Sequence, residues 1–262
     1  MKRAVLAVAL AAICVLAAAC GGAGAGAGSG AEVVDWRGFL SIEGDVEQSV
    51  IFTPVSSDSA RLPDSYAGGM PLSEFVAQAG ISGTPEEVYF ISSGDGFCAS
   101  ISYESADKVT VYYDTEKGWH LDAPEHPQPV NAMDVDRFIV VSEGSEAGLP
   151  VVRADGSTDV VSFGEMLLAP MTAVYHLDGT SEIGSEAGGT QSVSVYTRRF
   201  SVRLADLRPE YEGAPFVVVT GGGGKYLTDG GGRFVVYRQT LTYVEATGDE
   251  YEDVTEIQLR ES

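Results

Sequence analysis

The chain has 262 residues, with 38 acidic against 16 basic side chains and a formal net charge of −22. So acidic a surface repels phosphate backbones, which excludes nucleic-acid binding, and it disfavours electrostatic adsorption to an anionic lipid surface. With 44% hydrophobic residues the chain can bury a real core, as one large domain or two small ones.

Residues 1–19 open with Lys2 and Arg3, continue as an apolar stretch from Ala4 to Ala19, and end at Cys20. A spanning helix needs about 20 apolar residues. This stretch is shorter and has the proportions of a signal-peptide h-region. The order Leu16-Ala17-Ala18-Ala19-Cys20 resembles the bacterial lipoprotein signal, in which the cysteine is diacylated and becomes the new N-terminus. Ala17 stands where that signal more commonly carries Leu, and Leu16 lies one place further out. The alternative is an ordinary secretory signal cut after Ala-x-Ala, with Cys20 incidental. Residues 20–31 are Gly/Ala/Ser-rich and read as a flexible tether behind the lipidated cysteine. The resemblance implies a palmitate-type anchor on the extracytoplasmic face of a cell membrane, where two acyl chains give stable attachment. Loss of Lys2 and Arg3 with the signal takes the net charge from −22 to −24.

Of the three cysteines, Cys14 leaves with the signal and Cys20 carries the lipid. Cys98 is then alone, and no intrachain disulfide can form. Between Phe97 and Ala99 it reads as a small buried core residue.

Short runs rich in Val, Tyr, Phe and Thr, bounded by Gly, Asp, Ser and Pro, predict strands along the chain. They fall at residues 49–53, 87–92, 108–113, 137–142, 158–163, 172–177, 191–197, 215–220, 233–238, 240–244 and 254–259. Helical signal is scarce. Residues 70–79 carry Leu72, Phe75, Val76 and Ala79 on one face, with Pro71 at the first helical position and Gly80 as a stop. Residues 164–168 form a weaker second case.

The fold class is therefore β-rich α+β, with two loosely repeated mixed-sheet units and few short helices. The first unit spans residues 32–145 and the second 146–262, divided at the polar stretch 144–150. In the first, Gly69-Met70-Pro71-Leu72-Ser73-Glu74-Phe75 leads to Val88–Ile91, Gly94-Asp95-Gly96 and a closing run from Val135 to Val141. In the second, residues 200–207 lead to Phe216–Val219, Gly221–Gly224 and a closing run from Asp253 to Leu259.

Leu72–Ile81, then Val88–Ser92 and Gly94-Asp95-Gly96-Phe97, resemble the molybdopterin-binding oxidoreductase domain of the sulfite oxidase type. Val161–Pro170 is similar to the helix that precedes the cofactor-ligand strand of that family, and Ala173–Gly179 to the strand itself. The resemblance implies a molybdopterin cofactor whose metal takes a cysteine thiolate. Here the matching position holds His176 or Leu177, and imidazole is no simple substitute for a thiolate. The basic residues open to the cofactor phosphate are Arg198, Arg199, Arg203 and Lys225. The resemblance thus points to a relative that has lost catalysis and acts as a binding or scaffold module for a small ligand or an envelope protein. The alternative is an oxidoreductase component holding the cofactor through His176, Arg198, Arg199 and Lys225.

Other constellations carry less. Trp119, His120 and His126 lie in a proline-rich segment read as a loop, and they are the ligand-contact candidates of the first unit. His120 and His126 with Asp122 or Glu125 lack the spacing of one helix face, so no metal site is assigned. Gly221–Gly224 followed by Lys225 mimics a phosphate loop, but Val219 and Tyr226 replace its first Gly and its Ser/Thr, which leaves a hairpin turn. The acidic clusters lack the order of a calcium loop, and no Gly-x-Ser-x-Gly is present.

Overall fold

The computed structural model describes residues 39–52, 68–92, 97–114, 118–126, 130–169, 172–184 and 190–260; at 114, 173–184 and 190–198 it describes the backbone. Cys20 and the tether lie outside these residues. No helix among the described residues is long and apolar enough to cross a membrane.

Alternation builds the strands. In β4 (Thr84–Ser92), Val88, Phe90 and Ser92 turn inward and are buried, while Tyr89 and Ile91 between them are half-buried. The first sheet is ordered β2-β1-β8-β4-β5. Its members are β1 (Leu40–Gly44), β2 (Val50–Phe52), β8 (Arg137–Glu143), β4 and β5 (Phe97–Ser102). β1 and β8 run parallel; the other pairs are antiparallel. A three-stranded sheet of β3 (Met70–Pro71), β6 (Thr110–Asp114) and β7 (Gly118–Asp122) lies within the same repeat. Between β3 and β4 runs helix α1 (Leu72–Ala77). Its Leu72, Phe75 and Val76 share one face and are buried. Phe75 packs its ring 5.4 Å from Trp119 and 5.7 Å from Phe138.

The second sheet repeats the plan, ordered β10-β9-β18-β13-β14. Here β9 is Gly148–Val152, β10 Thr158–Ser162, β13 Phe216–Thr220, β14 Lys225–Thr228 and β18 Val254–Leu259. A further sheet, ordered β11-β12-β15-β16-β17, belongs to the same repeat. It comprises β11 (Thr172–Gly184), β12 (Thr190–Val202), β15 (Arg233–Tyr237), β16 (Thr240–Val244) and β17 (Glu250–Tyr251). Helix α2 (Phe163–Leu168) follows β10, and α3 (Leu204–Leu207) follows β12. A second core gathers Leu149, Val151, Phe216, Val218, Phe234, Tyr243 and Ile257.

The two repeats match in pairing and register. Leu40 faces Phe52 as Leu149 faces Val161, and Ile42 faces Val50 as Val151 faces Asp159. The two hairpins therefore have equal length. The closing strand runs parallel to the first strand in both, through Ile42–Phe138 and Val151–Ile257. It runs antiparallel to the middle strand through Phe90–Phe138 and Val88–Val140 in one, and Val218–Ile257 and Phe216–Leu259 in the other. Gly44 and Asp45 thus correspond to Arg153 and Ala154, and Val140 and Val141 to Leu259 and Arg260.

Several sequence expectations are corrected. Pro71 ends β3 and occupies the N-cap position, so α1 begins one residue later. Trp119–Asp122 is strand, not loop: the prolines that suggested a loop follow β7 instead of interrupting it. Within residues 144–150, β9 begins at Gly148, inside the expected second unit, and its pairing to β18 begins at Val151, beyond Pro150. Cys98 is exposed, because β5 is an outer strand and the cysteine points away from the core.

Candidate functional site

Among the described side chains, the residues singled out from sequence do not converge. Trp119 is fully buried, 5.4 Å from Phe52 and 5.2 Å from Tyr113 in ring centroids, so it is a core residue and cannot contact a ligand. His120 is half-buried and stacks on Tyr112 at 5.4 Å, with Nδ1 3.3 Å from the Gly118 carbonyl oxygen. His126 lies in the turn after β7, its Nε2 buried without a partner among the described residues. Among the described residues no group of three His, Cys, Asp or Glu is placed to hold a metal.

In the second repeat, backbone register sets His176 opposite Thr197, next to the Tyr175–Arg198 and Val174–Arg199 pairs. The side chains of His176 and Arg198 lie outside the described residues. Arg199 is half-buried on β12, whereas Lys225 is exposed on β14, the outer strand of a different sheet. Arg203 is committed to Asp206 at 2.6 Å. Cys98, the one described cysteine, is exposed in the other repeat. Among the described residues no thiolate stands beside these cations, and the placement supports no reaction step through a molybdopterin cofactor.

The polar group that sequence reasoning missed is Asp45. It follows β1, has no exposed surface, and sits where the repeats meet. Its Oδ1 accepts from Gly164 N at 2.9 Å, and its Oδ2 from Ser142 N at 2.9 Å and Ser162 Oγ at 3.2 Å. Ser162 and Glu165 form a capping box at the start of α2. The first turn of α2, in the second repeat, is thereby tied to the end of the β1/β8 pair in the first. The approach is close: a Cβ on Gly164 would lie 2.8 Å from the Val140 oxygen and from Asp45 Oδ2. Burial pushes the Asp45 carboxyl up, against the lowering effect of its hydrogen-bond donors.

A second tie comes from the β15–β16 hairpin. Its turn residues Arg238 and Gln239 both have positive φ, 49° and 59°, without being glycine. Gln239 Nε2 donates to the Val46 carbonyl at 2.6 Å, and its Oε1 accepts from Ser49 Oγ at 3.1 Å. Beside this contact lies a cleft of about 350 Å³ whose ionisable lining is acidic: Glu47, Glu146 and Asp253.

A larger cleft, about 580 Å³, opens at the carboxyl ends of β9 and β18. Val152, Arg153 and Ala154 line one side, and Gln258, Leu259 and Arg260 the other. Arg153 Nε donates to Tyr211 Oη at 3.0 Å, and its Nη2 lies 3.5 Å from Asp159 Oδ2. Its pKa is pushed further up, first by the hydrogen bond to Tyr211. The Arg260 backbone N–H donates to Pro215 O at 3.0 Å; its guanidinium has no partner among the described residues. By the correspondence of the repeats, this cleft occupies the position that α2 fills in the first.

No protein-family model matches the chain, and no curated protein matches it. Among solved structures the chain is similar to the crystal structure of the sulfane dehydrogenase SoxCD from Paracoccus pantotrophus. The likeness covers 85% of this chain and 71% of that one, with 14% identity and a TM-score of 0.34.

Proposed function

We propose that the chain is a lipid-anchored extracytoplasmic binding or scaffold module, a non-catalytic relative of molybdopterin-binding oxidoreductase domains. The observation that carries this reading is the cysteine inventory. Cys20 ends a lipoprotein-type signal and precedes a Gly/Ala/Ser-rich stretch that reads as a tether, which assigns it to attachment. Cys98 is exposed on an outer strand of the first repeat, and the family's ligand position holds His176-Leu177. No cysteine is left for the chemistry that the resemblance implies.

Two measurements test it. Labelled palmitate should enter the wild-type protein and not Cys20→Ser, with the variant released from the membrane fraction. Protein purified from its native host should carry no stoichiometric molybdenum or pterin. Stoichiometric molybdenum would overturn the non-catalytic reading, and unlabelled wild type would overturn the anchor.

A further inference from the structure

We propose that the cleft at the ends of β9 and β18 is a binding site for a small ligand bearing an oxyanion, a carboxylate or a phosphate, held by Arg153 and Arg260. The two repeats share a position beyond the ends of their parallel strand pairs. In the first repeat the same position accepts the start of α2, whose Gly164 N–H and Ser162 hydroxyl donate to the Asp45 carboxylate. The position is therefore one into which a polar group fits and is gripped from both parallel strands. In the second repeat the lining is exchanged in sign. Ala154 stands where Asp45 stands, Arg153 replaces Gly44, and Arg260 replaces Val141. A lining that offered acceptors to a helix start now offers guanidinium donors, and its occupant must be an acceptor.

The two arginines are prepared differently. Tyr211 and Asp159 fix Arg153 through Nε and Nη2, which leaves the N–H groups of Nη1 for a ligand. Arg260 is anchored by its backbone and offers its whole planar fork, which suits bidentate binding of an oxyanion. Two cations lining one cleft stand out in a chain with 16 basic and 38 acidic residues. The volume, about 580 Å³, falls within the range of small-molecule sites.

The assignment rests on the reading of the chain as a binding module. The test is titration of the full chain in neutral detergent with citrate and, separately, inorganic phosphate, by calorimetry. Saturable binding of at least one anion is expected, and the stronger of the two identifies the source of the oxyanion. Arg260→Gln should weaken it about tenfold or more through loss of a charge-assisted pair. Ala154→Asp, which restores the carboxylate of the first repeat, should abolish it, with the melting temperature held in both variants. Absence of saturable binding up to about 10 mM, the millimolar end of the affinity scale, or equal binding in both variants, would overturn the proposal. Such a failure with palmitate still on Cys20 removes this site alone, whereas failed labelling removes the anchor and leaves the cleft standing.

Discussion

Asp45→Ala removes the acceptor for two backbone N–H groups and one hydroxyl, inside a site with no exposed surface. The Ser162 hydroxyl can turn, and it still accepts from Glu165 N at 3.1 Å. The N–H groups of Ser142 and Gly164 have no such freedom. Each buried orphan costs about 1–3 kcal/mol, so the gross penalty is about 2–6 kcal/mol. Part is returned, because the variant no longer buries a carboxylate whose desolvation outweighs its hydrogen bonds. The net loss should be about 2–4 kcal/mol. Asp45→Asn keeps one acceptor but turns an NH₂ toward the other N–H, and should fall between the variant and wild type.

Urea unfolding reads the effect twice. In a Trp36→Phe background, fluorescence of Trp119, buried in the first core, follows the first repeat, while far-UV circular dichroism follows both. If Asp45 couples the repeats, Asp45→Ala should lower the midpoint and also separate the two transitions. A loss below about 1 kcal/mol with coincident transitions would refute the reasoning, since the orphaned N–H groups would then have found water at no cost.

Gly164→Ala should destabilise despite a helix-propensity gain of about 1 kcal/mol. The added Cβ meets a backbone oxygen at 2.8 Å, and a raised urea midpoint would contradict this packing. Gln239→Ala should cost about 1–2 kcal/mol by urea unfolding through loss of its bonds to Val46 and Ser49. Gln239→Gly relaxes the turn but loses the same bonds, and should not exceed wild type. The pH profile carries opposite signs at two sites. Asp45 is raised in the fold, so its stabilising effect is present below its unfolded value of about 3.8 and is lost as pH rises through the higher folded value. Asp206, held down chiefly by Arg203, contributes above its unfolded value and loses that contribution as pH falls. Asp45→Asn should therefore reduce the fall in stability on the alkaline side of the acid limb, and Asp206→Asn the fall on the acid side, both read from urea midpoints.

The strands legible in the sequence are those with enough Val, Tyr, Phe and Thr in alternation, such as β4, β8, β15 and β16. The repeat was legible too, since each half presents the same order of helix, apolar strand, glycine turn and closing strand. Strands with conflicting local signals were not. β9 carries Pro150, β7 is followed by prolines, and β14 is exposed at Lys225, Tyr226 and Leu227. Trp119 drew attention as a ligand contact because aromatic and histidine residues cluster around it. Only the packing of Phe52, Phe75 and Tyr113 reveals it as core. Asp45 gave no local signal beyond following a glycine. Its partners Ser142 and Gly164 lie 97 and 119 residues away, and only the folded chain brings them together.

The matching plans of the two repeats place different side chains at a single corresponding position. The end of a parallel strand pair leaves backbone groups at a sheet rim, and a fold must cover, pair or expose them. In the first repeat α2 covers that rim, and the carboxylate of Asp45 fixes the helix there, so the position serves cohesion. A glycine at 164 permits the contact and a glycine at 44, with φ of +94°, permits the turn into it. In the second repeat the corresponding turn needs no such close approach: Arg153 replaces the glycine, and Ala154 cannot hold a helix start. The rim stays open, and the two side chains that frame it carry positive charge in a molecule otherwise dominated by negative charge. The tie at Asp45 holds α2 at the rim of the first repeat, and the corresponding rim of the second carries a cleft without removing that tie.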